Sequence, residues 1–426
     1  MSEPLKVMHI FRSGEYAVRD QILALISHLP TRLFDTTVTG ELDDYTKRRL
    51  GQSKAQWVQM RLPTDLGLRS QTRAARRLAR LLVTQDTAIV HAHGFQAAFT
   101  ALMARRQLTN GPAIICSPFG LPGLARHSGV HYRSVVTAAR WVLRKADLVV
   151  VQSEHETDQL RELMRGPLPN LRQVREGIVL ERLREDFEAG AKRRLVGLDP
   201  MAAIVGVTVP PGGRCTMPIL EAARDVVAPR PNVEFVLIGD DAKHPRFAQA
   251  AHELGLSGCT VCLGNRADIV EIIASLNVLV IPADYVGARH HAVHALLNGI
   301  PLIVGRDGGL PELVQGLSQA SVVTCDDAEN VNTAIARFLD AVPTDNDGHL
   351  VDDELGFSDR ELLVSGLMID LDAFGLEPVP RQPLNAEQAA VQKIIERYSM
   401  AATGRTYGQL YNDAVATRQQ SIKHRG

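Results

Sequence analysis

The segment 279–314 contains the residues of this 426-residue chain whose types and spacing best fit ligand chemistry. It reads as a buried strand, a glycine turn at 287–291, a short helix, a second strand and a glycine-rich turn at 307–310. Open α/β sheets bind ligands at the carboxyl ends of neighbouring parallel strands. The order therefore predicts a nucleotide or phosphate site, in which backbone N–H groups after Gly287 cradle phosphate at a helix start.

Charged and imidazole side chains accompany the first of these turns. Arg289 and His290 would add positive charge there, although an ordinary surface role for Arg289 is the alternative. His290 and His294 are four residues apart, which on a helix is a metal-ligand spacing. No carboxylate of the His-Glu-x-x-His type accompanies them, and Cys259 and Cys262 lack a second pair of ligands nearby. We therefore expect no metal site.

Length and composition limit the class of protein. A chain of 426 residues is too long for one ordinary hydrophobic core, which predicts two domains. The 47 basic and 48 acidic residues leave a net charge of −1, so nucleic acid is not expected as a partner. No signal peptide is recognisable, and no apolar run reaches the roughly 18 to 20 residues that span a bilayer. Five scattered cysteines fit reduced thiols, so a cytoplasmic location is expected.

The order of elements predicts the architecture. Apolar β-branched runs alternate with helical patterns, which favours an α/β fold of two Rossmann-like, doubly wound parallel-sheet domains. We place the first domain at 1–168 and the second at 171–341, with a Gly- and Pro-rich linker between them. Residues 342–383 are expected to form an acidic insertion or loop, either simply exposed or docking a partner. Helical periodicity returns over 384–426 as closing helices.

Several short motifs, in order, carry a family resemblance. They lie at 7–14, 89–95, 146–154, 175–178, 231–239, 261–264, 299–301 and 308–312. Together with the two-domain pattern they resemble the glycosyltransferases of the GT-B fold, in the retaining, nucleotide-sugar-dependent family 4 branch. The resemblance implies closing helices that return to the N-terminal domain. It also implies transfer of a sugar from a nucleoside diphosphate sugar to a glycan or lipid-linked acceptor in polysaccharide biosynthesis, without a cofactor or a protein-bound metal.

The resemblance also implies site residues. His93, in a loop at a strand end, is the candidate catalytic residue, and plain polar surface is its alternative. Arg214 stands where the family has a lysine, and its planar fork would suit a diphosphate, although a solvated loop arginine is equally consistent. The expected donor-binding residues are Gly14, Arg214, Gly287, Arg289, His290, His294, Gly308, Gly309 and Glu312.

Four positions depart from the family pattern. Val209 replaces an arginine, Val286 and His294 replace two glutamates, and Phe119 replaces a histidine. The side chains of Val286 and Phe119 form no hydrogen bonds, and His294 can offer a ribose diol only one. A catalytically inactive GT-B pseudo-enzyme, which binds or scaffolds an active glycosyltransferase, is therefore the alternative function. A related two-domain epimerase has no support, because no acid/base carboxylate pair can be assembled.

One predicted helix is strongly basic. A basic helix face can rest on anionic lipid, which would place the protein at the inner face of the membrane. An ordinary solvated helix flank is the alternative. The residues concerned are Arg69, Arg73, Arg76, Arg77 and Arg80.

Overall fold

The computed structural model describes residues 3–11, 16–53, 55–63, 67–119, 129–179, 188–264, 266–285, 287–341 and 386–423. The chain forms two compact units, one of Met1–Gly177 with Tyr398–Gly426, the other of Ile178–Arg397. Each is built on one β-sheet in which every described strand pair is parallel. The predicted α/β class, with two doubly wound parallel sheets, is confirmed.

The first unit contains a seven-stranded sheet. Its strands are β1 (Leu5–Ile10), β2 (Phe34–Gly40), β3 (Gln56–Gln59), β4 (Ile89–His93), β5 (Ala113–Ser117), β6 (Leu148–Val151) and β7 (Leu171–Gln173). Their spatial order is β3-β2-β1-β4-β5-β6-β7. The chain moves outward from β1 to β3 and then returns to the other side of β1, so the order reverses between β1 and β4. Such a switch point leaves a crevice at the carboxyl ends of the two strands.

The second unit contains a six-stranded sheet with the same winding. Its strands are β8 (Ala203–Thr208), β9 (Val233–Ile238), β10 (Thr260–Gly264), β11 (Val278–Ile281), β12 (Leu302–Gly305) and β13 (Ala320–Val323). Their order is β10-β9-β8-β11-β12-β13, so the switch point lies between β8 and β11. Both sheets therefore place a potential site beside their first strand.

Helices cross between the strands and cover the sheets. In chain order the described helices are α1 (Tyr16–His28), α2 (Asp44–Gln52), α3 (Leu68–Thr84), α4 (Phe95–Arg105), α5 (Gly129–Lys145), α6 (Glu154–Met164), α7 (Ala189–Leu195), α8 (Thr216–Val227), α9 (Pro245–Glu253), α10 (Ile269–Ala274), α11 (Ala288–Leu297), α12 (Leu310–Val314), α13 (Ala328–Leu339), α14 (Ala386–Tyr398) and α15 (Met400–Lys423). Short 3₁₀ turns occur at Pro211–Gly213 and Asp240–Lys243.

The first sheet is buried on both faces. One face packs against α3, α4 and α5, and the other packs against α1 and α15. Strands covered on both sides read as continuous apolar runs, as β6 does with the sequence LVVV. The closing helix α15 thus completes the core of the first unit.

The division between the units lies later than the sequence predicted. We expected a linker after residue 168 and a second domain from 171. The structure instead pairs β7 in parallel with β6, so 171–173 belong to the first sheet, and the units divide between Gly177 and Ile178. The Gly- and Pro-rich stretch is a turn between α6 and β7, because such residues mark tight turns as readily as linkers. The acidic segment 342–383 falls outside the described residues.

A buried arginine connects three parts of the second unit. Arg193 on α7 is 2% exposed. Its guanidinium donates to the carbonyl of Ser275 at 2.8 Å, to Oδ1 of Asn277 at 2.9 Å and to two carbonyls in the turn before β8. Asn277 Oδ1 also accepts from the N–H of Ile204 in β8, at 2.8 Å. The guanidinium therefore ties α7 to the starts of β8 and β11.

We predict that Arg193→Met destabilises the second unit by on the order of 3 kcal/mol, because it leaves several buried oxygen acceptors without a donor. Native-state amide exchange should show the loss as a lower free energy of opening in β8 and β11. Arg194→Met is the matched control, since Arg194 is exposed on the same helix. It should change the free energy by less than about 0.5 kcal/mol. If β8 and β11 show equal protection from amide exchange in the two variants, Arg193 does not stabilise these strands in the way described.

Candidate functional site

Three histidines meet at the switch point of the first sheet. His9 lies near the end of β1, and His91 and His93 lie at the end of β4. His9 and His91 are partners in the strand ladder, and residues two apart in a strand face the same side. All three side chains are therefore brought together, with exposures of 0%, 0% and 6%. The predicted catalytic His93 lies in the core of the unit, not on a polar surface loop.

Hydrogen bonds link these histidines to β5 and to the closing helix. Nδ1 of His9 lies 3.0 Å from Nε2 of His93, and Nε2 of His9 lies 3.5 Å from the hydroxyl of Tyr411 on α15. His91 has Tyr411 Oη 2.9 Å from its Nδ1 and Ser117 Oγ 2.8 Å from its Nε2. The ring of Tyr407 lies 5.2 Å from the ring of His91. The site thus contains six polar side chains packed without a formal charge partner.

Burial controls the charge of this cluster. Desolvation lowers the pKa of His9 to about 3. It also lowers the pKa values of His91 and His93 well below the ordinary range, and the neighbouring imidazoles add to the effect. Burial raises the pKa of Tyr407 to about 12. All of these groups are therefore neutral at physiological pH.

The three histidines come close enough to raise the question of a metal. One ring nitrogen from each lies within 4.8 Å of the others. A metal ligand must offer a free lone pair toward the ion. Five of the six ring nitrogens already have a hydrogen-bond partner within 3.5 Å, and Nδ1 of His93 is the sixth. The observed arrangement favours hydrogen bonding over metal coordination.

Phe119 follows β5 and contacts the cluster. Its ring lies 5.8 Å from the ring of His93 with the planes 29° apart, and its backbone has a left-handed φ of 54°. A bulky residue rarely adopts this conformation. The side chain of Phe119 packs against His93 and cannot form the hydrogen bond of the histidine that the family has at this position. Gly14, expected near the same edge, falls outside the described residues.

An exposed ion pair marks the carboxyl edge of the second sheet. Arg214 follows β8, and its Nη2 lies 2.5 Å from Oδ2 of Asp307, which follows β12. Both side chains are 59% exposed, as a group that receives a ligand should be. Val209, at the end of β8, is 3% exposed and apolar, so it offers only packing. Of the two positions that the family resemblance assigned to cations here, one is filled by Arg214.

A second ion pair in the same unit is buried. Oδ2 of Asp284, after β11, accepts from Arg289 at 2.5 Å and from the backbone N–H of Gly309 at 2.6 Å. The side chains of Asp284 and Arg289 are only 16% and 8% exposed. Arg289 was expected to add positive charge to a phosphate cradle or to lie on the surface. It does neither, because the carboxylate of Asp284 neutralises it inside the unit.

Two glycines permit the turns that surround this pair. Gly287 precedes α11 with a φ of 99°, and Gly308 precedes α12 with a φ of 104°. Only glycine adopts such values without strain. A Cβ on Gly308 would also overlap the side chain of Asp284. The glycine pattern therefore located both turns correctly, and Glu312 lies half-buried on α12 after the second turn.

The histidines of α11 point into the unit. His294 is fully buried, and its ring lies 4.5 Å from that of the partly buried His290. Burial lowers the pKa of His294 to about 3, with a further contribution from His290, so the imidazole is neutral. The predicted i, i+4 pair shares one helix face as expected. Val286, the other departure from the family pattern, falls outside the described residues.

Seven residues of these sites were not among the sequence candidates, namely His9, His91, Ser117, Asp284, Asp307, Tyr407 and Tyr411. His9 could have been found as a polar residue near the end of an otherwise apolar first strand. Asp284 and Asp307 follow two predicted strands, as ligand-binding residues do. Tyr411 gave no signal, since 402 residues separate it from His9 and only the return of α15 joins them.

Comparison with known proteins agrees with this architecture. Residues 17–177 match the family model of the glycosyl transferase 4-like domain, and residues 216–341 match that of the glycosyl transferases group 1. The D-inositol 3-phosphate glycosyltransferase of Saccharomonospora viridis is 27% identical over 217 residues, which span 48% of this chain and 50% of that protein. The chain therefore covers about half the length of this relative.

A second relative and a solved structure are similar over more of the chain. The UDP-Gal:alpha-D-GlcNAc-diphosphoundecaprenol alpha-1,3-galactosyltransferase of Escherichia coli is 23% identical over 73% of this chain and 82% of its own length. The crystal structure of Anabaena Alr3699/HepE in complex with UDP-glucose superposes with a TM-score of 0.68 at 16% identity, covering 96% and 100% of the two chains. The structural similarity shows the fold. With both family models matched in order, this chain belongs to the family 4-like glycosyltransferases of the GT-B fold.

Proposed function

We propose that this protein transfers a sugar from a nucleoside diphosphate sugar to a hydroxyl group of a glycan or lipid-linked acceptor. The main support is the edge of the second sheet, where two features that suit an anion follow the neighbouring strands β8 and β11. They are the exposed guanidinium of Arg214 and the turn at Gly287 that opens α11. In the turn after β12, the N–H of Gly309 is already bonded to Asp284. Cations and backbone N–H groups at strand ends suit a diphosphate.

The proposed reaction requires a group at this edge that stabilises the negative charge of the leaving diphosphate. The bond between the sugar C1 and the diphosphate oxygen breaks, a bond from C1 to the acceptor oxygen forms, and the acceptor hydroxyl releases its proton, so that the products are the glycoside, the nucleoside diphosphate and a proton. Negative charge accumulates on the leaving diphosphate, and a cation positioned there lowers the barrier. Arg214 is an exposed cation at this edge that could take the role, whereas Arg289 is buried against Asp284.

The diphosphate would have to displace Asp307 from Arg214. An exposed ion pair is worth only about 0 to 1 kcal/mol, so the exchange costs little. A diphosphate carries more charge than one carboxylate and presents paired oxygens to the guanidinium fork. The ion pair in the free protein is therefore compatible with donor binding.

Two of the similar proteins support the substrate classes by their names. The HepE structure contains UDP-glucose, and the E. coli relative is named for a UDP-sugar donor and a diphosphoundecaprenol acceptor. These ligands belong to those proteins. They favour a nucleotide sugar and a lipid-linked or glycan acceptor as the classes to test first for this chain.

Arg214→Ala should weaken binding of the nucleotide sugar by about 10- to 100-fold, since a hydrogen bond to a charged group is worth about 1.5 to 3 kcal/mol. Calorimetric titration with UDP-, GDP- and ADP-sugars measures the effect. Arg224→Ala is the matched control, because Arg224 is exposed on the following helix and bonds only to Asp225 among the described residues.

The same titration decides between the two functions. If no nucleotide sugar binds to the wild-type protein, the proposed function is wrong. Binding that is followed by neither transfer nor hydrolysis would favour the catalytically inactive alternative. If Arg214→Ala leaves nucleotide-sugar binding unchanged, the proposed function stands, but the donor site does not include Arg214.

Asp307→Asn should have the opposite effect and tighten binding about fivefold, because it removes a negative charge that competes for Arg214 and repels the diphosphate. The gain should shrink when Arg214 is already alanine. Asp340→Asn, at an exposed acid paired with Arg230, is the control and should leave the affinity unchanged. Weaker binding by Asp307→Asn would instead assign this carboxylate to a donor hydroxyl group.

Helix α3 supports contact with anionic lipid as part of this function. Its five arginines are exposed, and the helix contains no acidic residue. Its apolar residues, among them Leu78 and Leu82, lie in the core of the first unit, so a membrane contact would depend on charge. Among the described residues no helix is long and apolar enough to cross a membrane. A lipid-linked acceptor would then be reached from the membrane surface.

Replacing Arg73, Arg76 and Arg80 by alanine together should reduce binding to vesicles that contain phosphatidylglycerol by roughly 100-fold, at about 1 kcal/mol per arginine. Co-sedimentation with and without the anionic lipid, at two salt concentrations, measures this. The control replaces the exposed Arg161, Arg165 and Arg172 of the same unit. Equal losses in both triple variants would show only a general charge effect.

A further inference from the structure

A continuous chain of hydrogen-bonded side chains leads from the closing helix to His93. In order, the distances are 3.0 Å from His93 Nε2 to His9 Nδ1, 3.5 Å from His9 Nε2 to Tyr411 Oη, 2.9 Å from Tyr411 Oη to His91 Nδ1 and 2.8 Å from His91 Nε2 to Ser117 Oγ. All five side chains are at most 6% exposed. Water therefore does not interrupt the chain at any link.

The links are not independent of one another. A neutral imidazole carries one N–H and one lone pair, so a ring that accepts at one nitrogen must donate at the other. A phenol has a single proton to donate, but its oxygen can also accept from both neighbouring imidazoles. Three arrangements therefore satisfy every link. In two of them Nε2 of His93 carries the proton and Nε2–H of His9 donates to Tyr411, and in the third Tyr411 donates to His9 and the proton of His93 is on Nδ1.

The free end of the chain distinguishes these arrangements. Nδ1 of His93 is buried and has no hydrogen-bond partner among the described residues. A buried N–H without a partner is rarer than an unpaired acceptor. The arrangements with a bare Nδ1 put the proton on Nε2 of His93. Nε2–H of His93 then donates to Nδ1 of His9, and Nε2–H of His9 donates to the hydroxyl oxygen of Tyr411.

We propose that His9 and Tyr411 are positioning residues that fix His93 as the tautomer with its proton on Nε2. Nδ1 then acts as a hydrogen-bond acceptor, and a hydroxyl group that reaches it must donate. That the hydroxyl belongs to a sugar rests on the proposed function, whereas the tautomer does not. The ligand class at His93 is accordingly a hydroxyl donor and not an anion, since an anion would require a donor there.

The test is nitrogen-15 NMR of the histidine side chains at neutral pH, with Tyr411→Phe as the variant. In the wild type, the Nε2–H form of His93 should exceed the Nδ1–H form by at least about fivefold, the ratio that one net hydrogen bond supplies. Tyr411→Phe leaves Nε2 of His9 without a partner, so either tautomer of His93 then buries one unpaired N–H. The ratio for His93 should fall to within about twofold of unity.

Two further variants keep the test decisive. His9→Phe preserves an aromatic ring but removes the partner of His93 Nε2, and it should change the same ratio even if Tyr411→Phe folds poorly. Tyr398→Phe removes another buried tyrosine hydroxyl from the first unit and should leave His93 unchanged. The measurement uses neither donor nor acceptor, so failure of nucleotide binding does not affect its outcome.

Two results would overturn the proposal. One is a His93 tautomer that stays the same in folded Tyr411→Phe and His9→Phe. The other is zinc binding by the wild type that shifts the signals of His9, His91 and His93 together, since coordination needs the lone pairs that the chain uses.

Discussion

Burial of both sheets on both faces is the constraint on which the rest of this structure depends. A parallel strand covered by helices on each side can carry polar side chains only where they find hydrogen-bond partners, which are most accessible near the strand ends, because an unpaired polar group in the core is costly. His9, His91 and His93 occupy such ends in the first sheet. Asp284 and Asp307 directly follow strands of the second. Both candidate sites therefore lie beside the switch point of their own sheet.

The polar side chains of the two sites are stabilised in different ways. In the first unit, burial keeps the imidazoles neutral, and hydrogen bonds link the side chains. In the second, formal charges remain but are matched in pairs, Arg214 with Asp307 and Arg289 with Asp284. A neutral network suits recognition of hydroxyl groups, and exposed, exchangeable charge suits an anion. Under the function proposed above, the first unit would therefore contact hydroxyl groups and the second the diphosphate.

The features of this fold that depend on local sequence pattern could be predicted from the sequence. Alternating apolar runs and helices predicted both sheets, and glycines with positive φ marked the turns at Gly287 and Gly308. The sequence did not reveal which side chains pair. Arg289 was expected to add charge to a phosphate cradle or to lie on the surface, and nothing in the local pattern shows that Asp284, five residues earlier, folds back onto its guanidinium. The link from Tyr411 to His9 spans 402 residues, and no periodicity reports it.

The absence of the family's two glutamates does not leave the second unit without carboxylates. Asp284 and Asp307 stand at the same sheet edge, but they differ in how firmly they are held. Asp284 is only 16% exposed and is bonded both to the buried Arg289 and to the backbone of Gly309, so its release would leave the buried charge of Arg289 unpaired, which is strongly unfavourable. Asp307 makes an exposed contact that costs little to break. A ligand would therefore replace Asp307 as the partner of Arg214. Asp284 would stay bonded to Arg289 and to Gly309, and so would continue to connect the two glycine turns.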